Sequence, residues 1–240
     1  AAGIVQAVDT VLEKNDISPN DVVFIAHGTT QATNALLEGD VAKVGIIGMG
    51  KGGEAGRARK ETTVGSIELA PGKYLETEHE FIDSSQLTDD TIRAAVEALR
   101  SRGCEVIVAS ESYSVDDPTN EKRVIEVASQ MGMVGTGGNE MSQLYGLGAR
   151  TRTAAVNAAL IPKMMETANM TEAAVRDSGI TRPLMIMRCD GGVMSIDEVR
   201  KRPILTMLSG LAAGVAGALM YEKITDGIFL EAGGTSTDIS

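Results

Sequence analysis

Glu231-Ala232-Gly233-Gly234-Thr235-Ser236-Thr237-Asp238-Ile239-Ser240 closes this 240-residue chain, and its reading decides the fold. Ile228-Phe229-Leu230 just before it reads as the core of a strand. Two consecutive glycines permit a tight turn whose backbone N–H groups approach an anion. Thr235, Ser236 and Thr237 add hydroxyl donors, and Asp238 adds a carboxylate able to orient water or Mg²⁺. The run reads as a phosphate-binding strand-turn. A polar β-turn is the plain alternative, because short Gly-rich motifs recur by chance.

Composition narrows the setting for that turn. Hydrophobic residues make up 43% of the chain, enough to bury a core. Aromatics are only 3% and Trp is absent, so the core rests on Ala, Val, Ile, Leu and 12 Met. The 27 glycines suit many short strand–helix connections. A net charge of −11 argues against nucleic-acid binding, which needs a basic face. Nucleotide binding remains open, since backbone N–H groups and helix N-termini hold phosphate without Lys or Arg.

Cys104 and Cys189 form no CxxC pattern and read as reduced cytosolic thiols, with Cys189 expected as a buried, inert one. The longest weakly polar run, Met207 to Met220, is shorter than the ~18 apolar residues of a membrane span. No signal peptide is evident, and a cytoplasmic location is expected. The chain begins at Ala1 without an initiator Met, as if within a domain.

Periodicity gives alternating elements. Ile4, Val5, Val8, Val11 and Leu12 keep a helical period to Lys14, and Ser18-Pro19 breaks it. Val22–Ala26, Val44–Gly48, Val106–Ala109 and Leu184–Met187 read as buried strands. Helices are expected at Gln31–Glu38, after the Thr88 cap, and from Asp116 to about Met131. Gly50 to Pro71 reads as a long loop, and Lys73 to Ile82 as an edge strand. A helix near Thr151 meets Pro162, which kinks or interrupts it. A separate helix is expected at Glu172–Asp177, another from about Ser195, and another over Ser209–Ala218. Such alternation indicates α/β layering.

Four polar clusters then follow predicted strands: His27-Gly28-Thr29-Thr30, Ser110 to Ser114, Arg188-Cys189-Asp190-Gly191-Gly192, and Gly233 to Asp238. Ligands of open α/β folds bind at the carboxyl ends of strands, so one shared cleft is expected. His27 is a candidate acid/base or metal ligand, or else a capped residue at a strand end. His79 reads as a solvated residue on the edge strand. Helix N-capping alone explains one of Thr29 and Thr30. Asn34 and Asn157, inside Ala-rich helices, read as structural hydrogen-bond partners.

Six motifs, in order, carry a resemblance. They are His27-Gly28-Thr29-Thr30-Gln31-Ala32-Thr33-Asn34-Ala35-Leu36-Leu37-Glu38; Ser112-Tyr113 with Pro118 and Glu121-Lys122-Arg123-Val124; Thr151-Arg152-Thr153 through Ala158 with Pro162; Gly191-Gly192-Val193-Met194-Ser195; Ser209-Gly210-Leu211-Ala212-Ala213-Gly214-Val215; and Gly233-Gly234-Thr235-Ser236-Thr237-Asp238. Together they resemble the hydantoinase/oxoprolinase family across nearly the whole chain. The resemblance implies an actin/hexokinase/chaperone-type ATPase fold with ribonuclease-H-like lobes. Residues 1–148 would be the remainder of an N-terminal lobe, and 149–240 the start of a hydantoinase A domain. The family's upstream phosphate loop has no counterpart here, as expected of a piece of a longer protein, which alone would be inactive.

The implied activity is ATP-dependent opening of a cyclic amide such as a hydantoin, 5-oxoproline or a related lactam. The alternative is a nucleotide-gated activator, an assembly subunit or a carboxylase subunit on the same fold. ATP and a divalent cation, Mg²⁺, are the implied cofactors. Gly233, Gly234, Thr235 and Thr237 would contact phosphate, with Gly191 and Gly192 lining the cleft. Asp238, His27 and Asp190 would act in catalysis, Asp238 holding the metal, and Thr29 and Thr30 would contact substrate. Implied partners are a second hydantoinase-type subunit, a homo-oligomer or both, with neither nucleic acid nor membrane. Glu231 stands where the family has Asp, and Leu211 where it has Pro.

Overall fold

The computed structural model describes residues 2–223, 225–232 and 237–240. The first half of the chain runs α1 (Ala2–Lys14), β1 (Ile25–His27), α2 (Gln31–Glu38), β2 (Val44–Gly50), α3 (Ala55–Thr62), β3 (Ile67–Ala70), β4 (Lys73–Leu75) and β5 (Thr77–Asp83). It continues through α4 (Asp89–Ser101), β6 (Val106–Glu111), α5 (Thr119–Gln130), β7 (Val134–Gly137) and α6 (Gly138–Met141). The rest is α7 (Leu147–Asp177), β8 (Leu184–Met187), β9 (Val193–Ser195), α8 (Ile196–Lys201), α9 (Ser209–Glu222), β10 (Leu230–Ala232) and β11 (Thr237–Ile239). Two compact units result, one of residues 35–162 and one of residues 1–34 with 163–240. Their border falls at Pro162, inside α7.

The 35–162 unit is built on a parallel sheet of order β5-β2-β6-β7. Every residue of β2 and β6 is buried, which explains their unbroken apolar runs: helices cover both faces. Ile47, Met49, Ile107 and Ala109 pack with Ile92, Val96 and Leu99 of α4 and Val124 and Val127 of α5. On the other face Val44, Ile46, Val106 and Val108 meet Ala154, Ala155, Ala158 and Ala159 of α7. The Thr88 capping box starts α4 as its sequence indicates. The edge strand expected from Lys73 to Ile82 splits into β4 and β5, with β5 on the sheet edge.

Other expectations need correction. The stretch from Gly50 to Pro71 holds α3 and β3 rather than an irregular loop. The first strand forms at Ile25–His27, displaced from Val22–Ala26. Pro162 does not divide α7, and Glu172–Asp177 is its last turns rather than a new helix. Proline supplies no N–H at that point, and the carbonyl of Ala159, near the break, accepts the N–H of Ala42 (3.0 Å). Asn157 is buried within the same helix.

In the other unit, β1 lies parallel to β8, and β8 antiparallel to β9. The pair β10–β11 forms a separate antiparallel hairpin. Among the described residues no helix is long and apolar enough to cross a membrane.

Candidate functional site

The first turn of α9 gathers the polar segments of the 1–34/163–240 unit. Ser209 is fully buried; its hydroxyl donates to the Thr29 carbonyl (3.0 Å) and accepts the Thr29 N–H (3.4 Å). The Leu208 N–H reaches Thr33 Oγ1 (3.0 Å). The Thr29 hydroxyl accepts the Gln31 N–H (3.2 Å) and so caps α2. Thr30 is exposed, and its hydroxyl accepts from Asn34 Nδ2 (3.4 Å), the structural role expected of Asn34.

The β10–β11 hairpin faces the same turn. A Cβ on Gly210 would lie 3.5 Å from Glu231 Oε1 and 3.6 Å from Thr30 Cγ2. Glu231 pairs in register with Asp238, which puts both carboxylates on one face of the hairpin. Among the described residues, Glu231 Oε2 is buried without a hydrogen-bond partner. Paired carboxylates beside a phosphate repel it unless a cation intervenes. Mg²⁺ is commonly held by one or two carboxylates plus phosphate oxygens and water, and this pair fits that demand. Among the described residues no cluster of three or more His, Cys, Asp or Glu could hold a metal. Thr237 is exposed on β11. Gly233, Gly234 and Thr235 lie outside the described residues.

Asp190 sits in the turn joining β8 to β9. Its carboxylate accepts the Gly192 N–H (3.0 Å) and pairs with Arg188 (2.7 Å). The backbone N–H of Gly192, helped by Arg188, holds this carboxyl below its ordinary value. Gly191 adopts φ +80°, the left-handed geometry the turn requires. Asp190, Gly191 and Cys189 border an apolar groove of about 370 Å³ with Leu211 and Val215 of α9 and with Ser240. Cys189 is exposed there, contrary to the buried thiol expected.

His27 ends β1 and is half-buried, and burial lowers its pKa. It opens, with Thr29 and Thr30, on a polar cavity of about 450 Å³ walled by Glu166, Thr167 and Thr171 of α7. Parallel pairing of β1 with β8 brings the His27–Thr30 and Arg188–Gly192 segments to the same end of one sheet.

The Ser110 to Ser114 cluster belongs to the 35–162 unit, where Ser110, Glu111 and Ser114 are buried and Tyr113 is exposed. Ser110 Oγ bonds Thr151 Oγ1 (2.7 Å), and Arg150, 1% exposed, donates to the carbonyls of Glu111 (3.0 Å) and Leu144 (2.7 Å) and to Ser114 Oγ (3.2 Å). Glu121 is 0% exposed and accepts the N–H groups of Glu111 (2.9 Å) and Asn139 (2.8 Å). Burial pushes its carboxyl up against those bonds. Sequence reading missed Arg150; its neighbour Arg152, quoted in the motif, is exposed. His79 is likewise not solvated: it is half-buried and bonds Thr62 Oγ1 (2.9 Å).

A family model described as hydantoinase/oxoprolinase matches residues 150–240, and one described as the hydantoinase/oxoprolinase N-terminal region matches residues 1–132. Caprolactamase subunit alpha of Pseudomonas jessenii is 27% identical over 244 residues, covering 92% of this chain and 34% of that protein. The crystal structure of the ATP-dependent caprolactamase from Pseudomonas jessenii superimposes with a TM-score of 0.68 at 21% identity, covering 98% of this chain and 38% of that one. The nucleotide-free structure of acetone carboxylase gives a TM-score of 0.73 at 20% identity, covering 100% and 38%. The chain thus spans well under half the length of the proteins it matches. These superpositions show the fold, the α/β actin-like ATPase fold that the motifs implied.

Proposed function

Because this chain belongs to the hydantoinase/oxoprolinase family, we propose that it is part of an ATP-dependent hydrolase that opens a cyclic amide. The convergence of the His27–Thr30 segment, the first turn of α9 and the Glu231/Asp238 pair carries this reading. ATP is a co-substrate: phosphoryl transfer to the amide oxygen makes the ring carbon susceptible to water. Such transfer asks the protein mainly for positioning and charge stabilisation. Asp238 and Glu231 would hold a divalent cation, which supplies charge neutralisation at the phosphates when bound. Thr237, with Gly233, Gly234 and Thr235, would contact the phosphates. Asp190, Gly191 and Gly192 would line the cleft.

His27, Thr29 and Thr30 form the substrate side, and their polar cavity admits a small heterocycle. His27, held neutral by burial, is suited to accept a proton there. Thr29 contributes through its backbone, since its hydroxyl caps α2. A domain division at 148/149, a cytoplasmic location and a second hydantoinase-type subunit belong to the same proposal; the relative in Pseudomonas jessenii is itself named as a subunit. The test is ATP hydrolysis by the full-length protein with lactams and hydantoins. Ring-opened amino acid formed with ADP supports the reading. The likeness to acetone carboxylase favours a second one, a carboxylase subunit. Ketone- and bicarbonate-dependent ATP use without lactam turnover would select it.

A further inference from the structure

A cavity of about 480 Å³ lies in the 1–34/163–240 unit, and none of its lining residues belongs to the site above. It forms where the end of α7, the 179–183 connection and the start of α8 meet. Its floor is apolar, with Val175, Ile180, Leu184 and Ile196 all buried. Its rim is charged with both signs: Glu172, Arg176, Arg182 and Asp197.

Most of that charge is already matched. Glu172 pairs with Arg176 (3.2 Å) and Arg200 (3.0 Å), and Arg200 pairs with Asp197 (2.6 Å). Those pairs match two guanidiniums to two carboxylates, and Arg182 on the rim is left over. The surplus is Arg182, exposed on the 179–183 connection, with no hydrogen bond or ion pair among the described residues. A guanidinium fork matches a carboxylate in geometry as well as charge. An apolar floor beneath it selects a carboxylate that carries a hydrocarbon chain over a bare inorganic anion. Asp197, 80% exposed at its side chain, offers a carboxylate to a cation at the far end of that chain.

We propose that this cavity binds a short linear amino acid, with its carboxylate on Arg182, its methylenes over Ile180 and Leu184, and its ammonium at Asp197. The site stands on this geometry. Identifying the ligand as the ring-opened product of a lactam, bound away from the reacting centre, rests on the hydrolase reading above.

Calorimetry on the full-length protein without ATP tests it, with 5-aminopentanoate as the probe. Wild type is expected to bind it, pentanoate more weakly, and pentylamine not at all. Arg182→Ala is expected to weaken both carboxylates by about tenfold or more, the loss of one charge-assisted pair. Asp197→Asn is expected to weaken 5-aminopentanoate alone. Thermal melts confirm that each variant is folded. No binding by wild type, unchanged binding by Arg182→Ala, or equal affinity for inorganic phosphate overturns the site. Lactam-stimulated ATP hydrolysis, measured separately, judges the hydrolase reading: its absence with binding intact leaves the site standing, and its presence without binding removes the site alone.

Discussion

Glu121 shows how a residue that looks catalytic can be structural. A carboxylate with no exposed surface must find partners inside, and here two backbone N–H groups and the nearby Arg150 supply them. Glu121→Ala would orphan both N–H groups and remove one of the two carboxylates, with Glu61, whose charge favours the Arg150 guanidinium. The expected cost is about 3–5 kcal/mol in urea denaturation. A midpoint within experimental error of wild type would refute this role. His79 sets a pH dependence. Burial, aided by the Arg59 charge, lowers its pKa from the ordinary value of 6.5, so the folded state prefers the neutral ring. Its stabilising contribution is present above the unfolded value and is lost as pH falls through the folded one. His79→Gln is expected to flatten the acid side of the stability profile below about pH 6.5, read from urea midpoints across pH. His27, shifted the same way, leaves a residual slope.

At the level of elements, close backbone approach explains what side-chain patterns do not. Gly135 of β7 sits against β6, where an added Cβ would collide with the Ile107 carbonyl oxygen, a backbone atom that cannot rotate away. Gly135→Ala is expected to cost about 1–3 kcal/mol in chemical denaturation, the range for overpacking. A neutral result would mean that β7 shifts freely on the sheet edge. The same effect hid α3 from the sequence. Only Ala58 and Thr62 of that helix are buried, so it has no apolar stripe to read. It is held by lying close on β2, where a Cβ on Gly50 would come within 2.6 Å of Ala58 Cβ. By contrast β2, β6 and α4 were legible, because they bury whole faces of Val, Ile and Leu. The continuity of α7 was not: a proline inside a helix reads as a stop, and here the helix runs through it.

For the whole molecule, the site was legible as motifs and obscure as geometry. The His27–Thr30 and Arg188–Gly192 clusters gather in one unit, with Ser209, Gly210 and the Glu231/Asp238 pair, because β1 and β8 are neighbours although about 160 residues separate them in sequence. No local pattern encodes that pairing, and none shows that Ser110, Glu111 and Ser114 are buried. The Glu231/Asp238 pair turns the convergence into a sharp expectation. Asp238 is half-buried on a short hairpin, so Asp238→Asn should leave stability within about 0.5 kcal/mol, as for sites outside the core. If the pair holds the cation that neutralises phosphate, the full-length variant should lose about 10²-fold or more in lactam-dependent kcat, the scale for removing one preorganised charge contact. The loss should be partly offset by excess Mg²⁺, because a weakened cation site fills at higher concentration, whereas a purely structural defect would not respond. Steady-state ATP hydrolysis across a Mg²⁺ titration measures both, and wild-type kcat in the variant would remove Asp238 from the phosphate end of the site.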